Sequence, residues 1–334
     1  MNPAIDLAGA HIARDLAYDQ PLVSCRFHPG GEYVVAGSEG FTLLRFDLKS
    51  GKRSLFPSAH ESWVHALAFH PSGQKLLSGG CDGRIVVWTN LDATPAPERT
   101  IDAHAGWVNS LALSPDGSHA ASAGNDRLVR IWHLESGRLI AELPGHERPV
   151  YRVAYVPGGK FLVSADLLGR VVQWELATRK EVRRLDAAKL YKYEGGQGVD
   201  YGGVRDLAFA PDHSKIVCSG LIEASNPLGA VSIPAAILFD WASGTEGTLH
   251  RPKETVAGVG WGIRYHPSGE FFIMASGGTA GGFLWFFKAG QTQETHKFAL
   301  PNTARDLDIS PDGLNVATAH HDGHLRITGL YKKT

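Results

Sequence analysis

One stretch, His104 to Trp132 (HAGWVNSLALSPDGSHAASAGNDRLVRIW), constrains the fold more than any other part of the chain, because versions of it recur from end to end. Within it SLALS and LVRIW read as short strands, and the PDG at Pro115 to Gly117 separates strands as a tight turn. The same turn returns as HPGG at His28, HPSG at His70, VPGG at Val156, APDH at Ala210, HPSG at His266 and SPDG at Ser310; with SPDG at Ser114 there are seven. The turn prolines Pro29, Pro71, Pro115, Pro157, Pro211, Pro267 and Pro311 are spaced by 42, 44, 42, 54, 56 and 44 residues. A period in the forties with about four strand-sized pieces per unit predicts the blades of a β-propeller.

A second ruler keeps the same phase. Counting 17 residues on from the turn proline reaches Phe46, Trp88, Trp132 and Trp174, each on an apolar strand. These units resemble the WD-repeat family, and the resemblance covers nearly all of the chain. It is fullest in units two and three, where an AH dipeptide, a turn Asp and the strand Trp all occur; the name-giving Trp-Asp pair itself has become WT, WH and WE. The resemblance implies an all-β fold, a single seven-bladed propeller domain over residues 1–334, with four antiparallel strands, a to d, in each blade. It also implies that loops d–a and b–c open on one face, the top, and that the seven turns are a–b loops on the other. The segment His11 to Leu16 lies 18 residues before Pro29, much as RLIAEL from Arg138 lies 19 before Pro157, so it reads as an outer strand. The seventh unit runs out after HLRITGL from His324. Residues 11–16 are therefore expected to complete the last blade and remove its open edge.

Charged residues make up 20% of the chain and hydrophobic ones 43%, with 39 glycines, which suits many strands joined by tight turns. The formal net charge is -1 and no lysine or arginine cluster stands out, so the footprint expected of a nucleic-acid binder is missing. Cys25, Cys81 and Cys218 fall in different units without regular spacing, which argues against a disulfide framework or thiolate metal site. The N-terminus lacks a basic start and apolar core, and no run approaches the length of a membrane span. The expectation is a soluble, cytoplasmic protein without membrane or nucleic-acid partners.

Units two and three share a polar set: His60, Ser78, Asp82 and Trp88, then His104, Ser122, Asp126 and Trp132. Serine, histidine and aspartate in one unit invite a catalytic-triad reading, but the set repeats at one phase, and enzymes do not duplicate a nucleophile blade by blade. The family resemblance implies instead a buried chain of indole, hydroxyl, imidazole and carboxylate that pins the b–c turn. Unit four keeps His146, Ser164 and Trp174 but has Leu168 at the Asp position, so its turn is expected to be looser. Unit seven retains Thr318 and Asp322 with Leu300 and Thr328 at the His and Trp positions, while units one, five and six lack the set.

The two long steps locate insertions. Trp174 to Pro211 is 37 residues against 25 for Trp132 to Pro157, and Pro211 to Phe239 is 28 instead of 17. Both excesses fall in unit five, at about 186–203 (with Tyr191, Tyr193 and Tyr201 among glycines) and about 221–234. By the family geometry both are top-face loops, and tyrosines spaced by glycine suit a binding loop. In this family the residue six before the turn proline faces the top opening; here these are Val23, His65, Asn109, Tyr151, Arg205, Trp261 and Arg305, with Trp63 and Trp107 beside them. Aromatics with arginines compose an interaction hot spot. Against this, Trp63 and Trp107 could pack between blades, and Arg205 and Arg305, each followed by Asp-Leu, could form ion pairs inside the fold.

Other chemistry is weaker. His320, His321 and His324 cluster in HHDGH but need not converge, GGTAGG from Gly277 lacks the lysine and helix of a phosphate loop, and the HP of His28, His70 and His266 reads as turn chemistry. The sequence thus points to a non-catalytic scaffold that binds a protein or peptide on its top face, with no cofactor and no metal. Recognition of a methylated lysine by Trp261, Tyr151 and neighbours is a special case. The rival is a propeller hydrolase or lactonase, which needs several inward carboxylates and histidines at one level; the inward positions named above supply one histidine and no carboxylate.

Overall fold

A computed structural model describes residues 4–92, 94–195, 198–226, 231–279 and 281–333. Seven four-stranded antiparallel sheets follow one another along the chain, each ordered a-b-c-d, as the blades of a seven-bladed β-propeller. Blade one comprises Leu22–Phe27, Tyr33–Ser38, Leu43–Asp47 and Arg53–Leu55; blade two Val64–Phe69, Leu76–Gly80, Arg84–Thr89 and Ala96–Asp102. Blade three comprises Val108–Leu113, His119–Gly124, Val129–His133 and Leu139–Leu143; blade four Val150–Tyr155, Phe161–Asp166, Arg170–Glu175 and Lys180–Asp186. Blade five is Asp206–Phe209, Lys215–Asn226, Val231–Asp240 and Glu246–His250; blade six Val259–Tyr265, Phe272–Gly278, Gly281–Phe287 and His296–Leu300. Blade seven takes Ala304–Ile309, Asn315–His320 and His324–Gly329 from the end of the chain, and its fourth strand is His11–Ala17 from the beginning. That strand pairs antiparallel to the third, from His11 opposite Gly329 to Ala17 opposite His324. Chain contacts divide the molecule into two compact units. One holds Tyr18–Asp166 and Val171–Arg184, and the other the N-terminal strand, Leu167–Arg170 and the chain from Leu185 on.

Strands b and c form because they are short runs of Val, Ile, Leu, Ala and aromatic residues bounded by turns, and they are buried on both faces. Six of the a–b turns place a glycine in the left-handed region, as at Gly117 with φ +73, and in blade five His213 takes that conformation with φ +61. The core lies between successive sheets. Tyr33, Val35 and Leu43 of blade one pack on Leu67, Val86 and Trp88 of blade two, and blades two and three, three and four, five and six, and six and seven repeat the arrangement. Trp88 and Trp285 are fully buried. At roughly 25 cal/mol per Å² such indoles are each worth a few kcal/mol, so the stacking of blades carries most of the stability.

A β-bulge recurs at one place. In blades one, two, three, four, six and seven the a–b register slips around Val23, His65, Asn109, Tyr151, Trp261 and Arg305. Each lies six before its turn proline. A bulged residue has no partner opposite and its side chain is re-aimed, which is the physical reason this position differs from its alternating neighbours.

The unit-five insertions are built into structure. The first forms a short 3-10 turn, Ala188–Leu190, and a hairpin of Tyr191–Glu194 with Val199–Gly202; the second lengthens strands b and c of blade five beyond those of other blades. The hairpin touches strand b, with Lys192 Nζ donating to Ala224 O at 2.9 Å. Residues 196–197 and 227–230 of these inserts, and Ala280 of the GGTAGG segment, lie outside the described residues.

Candidate functional site

The polar sets lie inside the blades. In blade two Trp88 Nε1 donates to Ser78 Oγ at 2.8 Å, His60 Nε2 lies 2.7 Å from the same oxygen, and His60 Nδ1 lies 3.1 Å from Asp82 Oδ2. Because a carboxylate only accepts, His60 Nδ1 donates to Asp82, and Ser78, already accepting the indole, turns its own hydrogen to Nε2. Blade three repeats the chain through Trp132, Ser122, His104 and Asp126. Arg130 adds an ion pair to Asp126 at 2.6 Å. Burial favours the uncharged carboxyl of Asp126, but the hydrogen bonds from Arg130 and His104 outweigh it and hold the group below its ordinary range. Burial lowers His104 in spite of Asp126. Connectivity matches a hydrolytic triad, yet Ser78, Ser122 and Ser164 are 0% exposed, so no substrate carbonyl can reach the hydroxyls.

Two expectations for these sets need correction. Blade four does not lose its carboxylate with Leu168: Asp166, two residues earlier at the end of strand b, lies 2.7 Å from His146 Nδ1, with both side chains fully buried. Blade six does not lack the set entirely, since Trp285 Nε1 donates to Ser276 Oγ at 2.8 Å. Trp285 was missed because it stands 18 rather than 17 residues after its turn proline. In blade seven the imidazole comes from His320, which pairs with Thr318 at 2.7 Å and with Asn302 O at 3.0 Å.

At the loop end of strands a, Trp63 and Trp107 lie 6.3 Å apart, and His65 is 6.4 Å from Trp107 and 5.9 Å from Tyr151. Trp107 is 38% exposed. Asn109 belongs elsewhere: it is buried, and its amide donates to Asn125 Oδ1 at 2.8 Å and Val150 O at 3.0 Å, so it fastens a loop inside the fold. In the other unit the Arg205 guanidinium stacks over Trp261 at 5.3 Å, and Arg305 Nη2 donates to His321 Nδ1 at 3.1 Å. On the hairpin Tyr191 donates to Asp200 at 2.6 Å, Tyr193 is 57% exposed, and the Tyr201 hydroxyl is buried without a hydrogen-bond partner among the described residues.

The description "WD domain, G-beta repeat" matches residues 51–89, 95–133, 137–175 and 290–328. Each match runs from the outer strand of one blade through strands a–c of the next, so the four supply the inner strands of blades two, three, four and seven. The chain is a WD-repeat protein. It is 37% identical over 65 residues to serine-threonine kinase receptor-associated protein of Bos taurus, covering 20% of this chain and 19% of that one. It is 32% identical over 74 residues to periodic tryptophan protein 2 homolog of Mus musculus (22% and 8%), and 26% identical over 173 residues to WD repeat and HMG-box DNA-binding protein 1 of Xenopus laevis (49% and 15%). The matches thus span less than a fifth of the length of these curated relatives.

Within this WD-repeat protein sequence reasoning missed a charged cluster on strands a. Arg264 of blade six pairs with Asp206 of blade five at 2.6 Å and Asp308 of blade seven at 3.3 Å, and Asp206 also accepts from Ile263 N. Asp206 therefore pairs with Arg264, one blade along, rather than only with its neighbour in sequence. The alternation of Asp206, Arg264 and Asp308 near their turn prolines was the available signal. These carboxylates are what a metal-dependent propeller would need, but a guanidinium stands between them; no cluster of three or more His, Cys, Asp or Glu suited to a metal occurs among the described residues. No described helix is long and apolar enough to cross a membrane.

One histidine is placed at a cost. His250 is fully buried edge-on to Phe272 and Phe287 at 4.9 and 5.5 Å, and neither ring nitrogen meets hydrogen-bond geometry with a described residue. Burial pushes it down to about 4, against a weak opposing pull from the Gln291 backbone. Since the unfolded imidazole titrates near 6.5, its neutral form supports folding above that pH, and the support is lost as pH falls toward 4. His250→Leu is expected to raise the melting temperature, and in equilibrium urea unfolding to remove about 2 kcal/mol of the stability lost between pH 6.5 and 4.5. An unchanged slope against pH would refute this.

Proposed function

We propose that this WD-repeat protein is a non-catalytic scaffold that binds a protein or peptide partner at the end of the blades where the d–a and b–c loops lie. The observation that carries the reading is the aromatic group of Trp63, His65, Trp107 and Tyr151, which stands outside the inter-blade cores with Trp107 open to solvent. Large rings at a loop end, His65 and Tyr151 among them re-aimed by bulges, are material for anchors, and aromatic and arginine side chains dominate hot spots. The Arg205–Trp261 stack, Arg305 and the blade-five hairpin with Tyr193 supply the same chemistry in the other unit. The Bos taurus relative's name, receptor-associated, is in keeping with an assembly role for WD repeats.

The test is affinity capture from the source cells with three proteins that melt alike: the native chain, Trp63→Ala/Trp107→Ala, and Arg205→Ala/Trp261→Ala/Arg305→Ala. A partner retained by the native chain and lost from at least one variant is the expected result. If the same partners stay on all three, the loop-end surface is the wrong one. If a single tightly held metal ion accompanies the purified protein and nothing is captured, the hydrolase reading replaces this one.

A further inference from the structure

At the a–b turns the HP histidines do more than shape their own loop. His28 Nε2 lies 3.3 Å from Gly73 O of blade two, His266 Nε2 lies 2.9 Å from Gly313 O of blade seven, and a Cβ on Gly117 of blade three would strike the His70 imidazole. Each ring lies across the turn of the next blade. In blade three Ser114 holds this position, and its hydroxyl folds back onto Asp116 at 2.6 Å. A Cβ on Gly159, the matching glycine of blade four, would meet nothing closer than Pro115 Cδ at 3.4 Å. Here, between blades three and four, lies a cavity of about 480 Å³, floored by Ile131, Ile140, Ala141 and Leu176. Tyr155 lines it, and the Tyr155 hydroxyl is buried without a hydrogen-bond partner among the described residues.

A second hollow of about 510 Å³ adjoins the first, sharing Ile140 and Arg179 with it. Its lining of His133, Ser136, Arg138, Leu139, Ile140 and Arg179 has two guanidiniums and no carboxylate. Leu139, 44% exposed, sits on the last strand of its sheet.

We infer that the two adjoining hollows seat an extended peptide of a partner protein, with one large apolar side chain in the cavity between blades three and four and an acidic residue between Arg138 and Arg179. Two hollows joined end to end suit a chain rather than a compact molecule, and both lie beside an outer strand. The apolar floor selects the anchor, as in other concave sites lined mostly by hydrophobic groups. The unopposed guanidiniums select the carboxylate. This site is at the a–b turn end of the strands and stands or falls apart from the loop-end surface proposed above.

Random dodecapeptides displayed on phage are panned on the native protein, and the enriched sequences are synthesised with a fluorophore and titrated by anisotropy. Two variants are compared: Ser114→His, which restores the ring other blades carry and so fills the cavity, and Arg138→Glu/Arg179→Glu, exposed positions whose reversal leaves the cores alone. Enriched peptides are expected to pair a large aliphatic or aromatic residue with an Asp or Glu a few positions away, and each variant to weaken binding by roughly tenfold or more. The inference is overturned if no common sequence emerges, if the enriched peptides lack either anchor, or if either variant binds them as the native chain does.

Discussion

Removal of residues 1–16 is expected to leave almost no soluble folded protein, whereas removal of residues 1–5 alone is expected to be tolerated. The first deletion strips the strand His11–Ala17 from Gly329 to His324 and exposes a backbone edge on a third strand whose residues are otherwise buried. It also removes Leu7 and Ile12 from the core shared by blades six and seven, and Asp15 from His324 at 2.6 Å and Arg326 at 3.4 Å. An open, largely apolar edge is a template for association, so the expected readout is a roughly tenfold or greater shift of the expressed protein into the pellet. The shorter deletion spares Asp6, whose amide donates to Leu330 O at 2.8 Å, and removes a residue, Ile5, that is 40% exposed. A monomeric product with the native melting profile after loss of residues 1–16 would show that the last blade is complete without its N-terminal strand.

Asp166→Ala is expected to be the most damaging single substitution among the polar sets. Asp166 and His146 are both fully buried, and truncating one member of such a pair strands the other. The cost is roughly 3 kcal/mol or more, against about a third of that at an exposed pair, and is to be measured as the shift of the urea unfolding midpoint at pH 7. Leu168→Asp, which restores the family residue at its usual position, should not rescue it. A destabilisation no larger than that of Leu168→Ala would mean that His146 is held by Ser164 alone.

Most of the fold was legible because a propeller repeats. Seven prolines in phase located every a–b turn, and four aromatics at a fixed offset located strand c in blades one to four. The residues that escaped are those for which one position's job is done from another. Asp166 replaces the carboxylate expected at Leu168, His320 replaces the imidazole expected at Leu300, and Trp285 is displaced by one residue. Side-chain length and a small change of register can bring the same group to the same place, and a positional ruler does not see this. The candidate positions follow from the family resemblance, as the residue six before each turn proline; that this position is bulged in six blades is a property of backbone pairing that the sequence does not show. Asn109 satisfies the phase and still turns inward, since a short amide within reach of Asn125 and the Val150 carbonyl gains more from two buried hydrogen bonds than from water.

The pairing of the first strand with the last also sets an order of events. Asp15 and His324, in contact at 2.6 Å, are 309 residues apart along the chain. A strand made 309 residues ahead of its partner therefore waits until the last blade has been made, and the intervening blades, whose contacts are each about one repeat away, have time to stack first. In the finished blade this strand leaves Arg14 and Asp15 exposed side by side. Charged side chains on an edge strand disfavour pairing with the edges of other chains, so Asp15, which ties the finished blade together, also guards the strand while it waits.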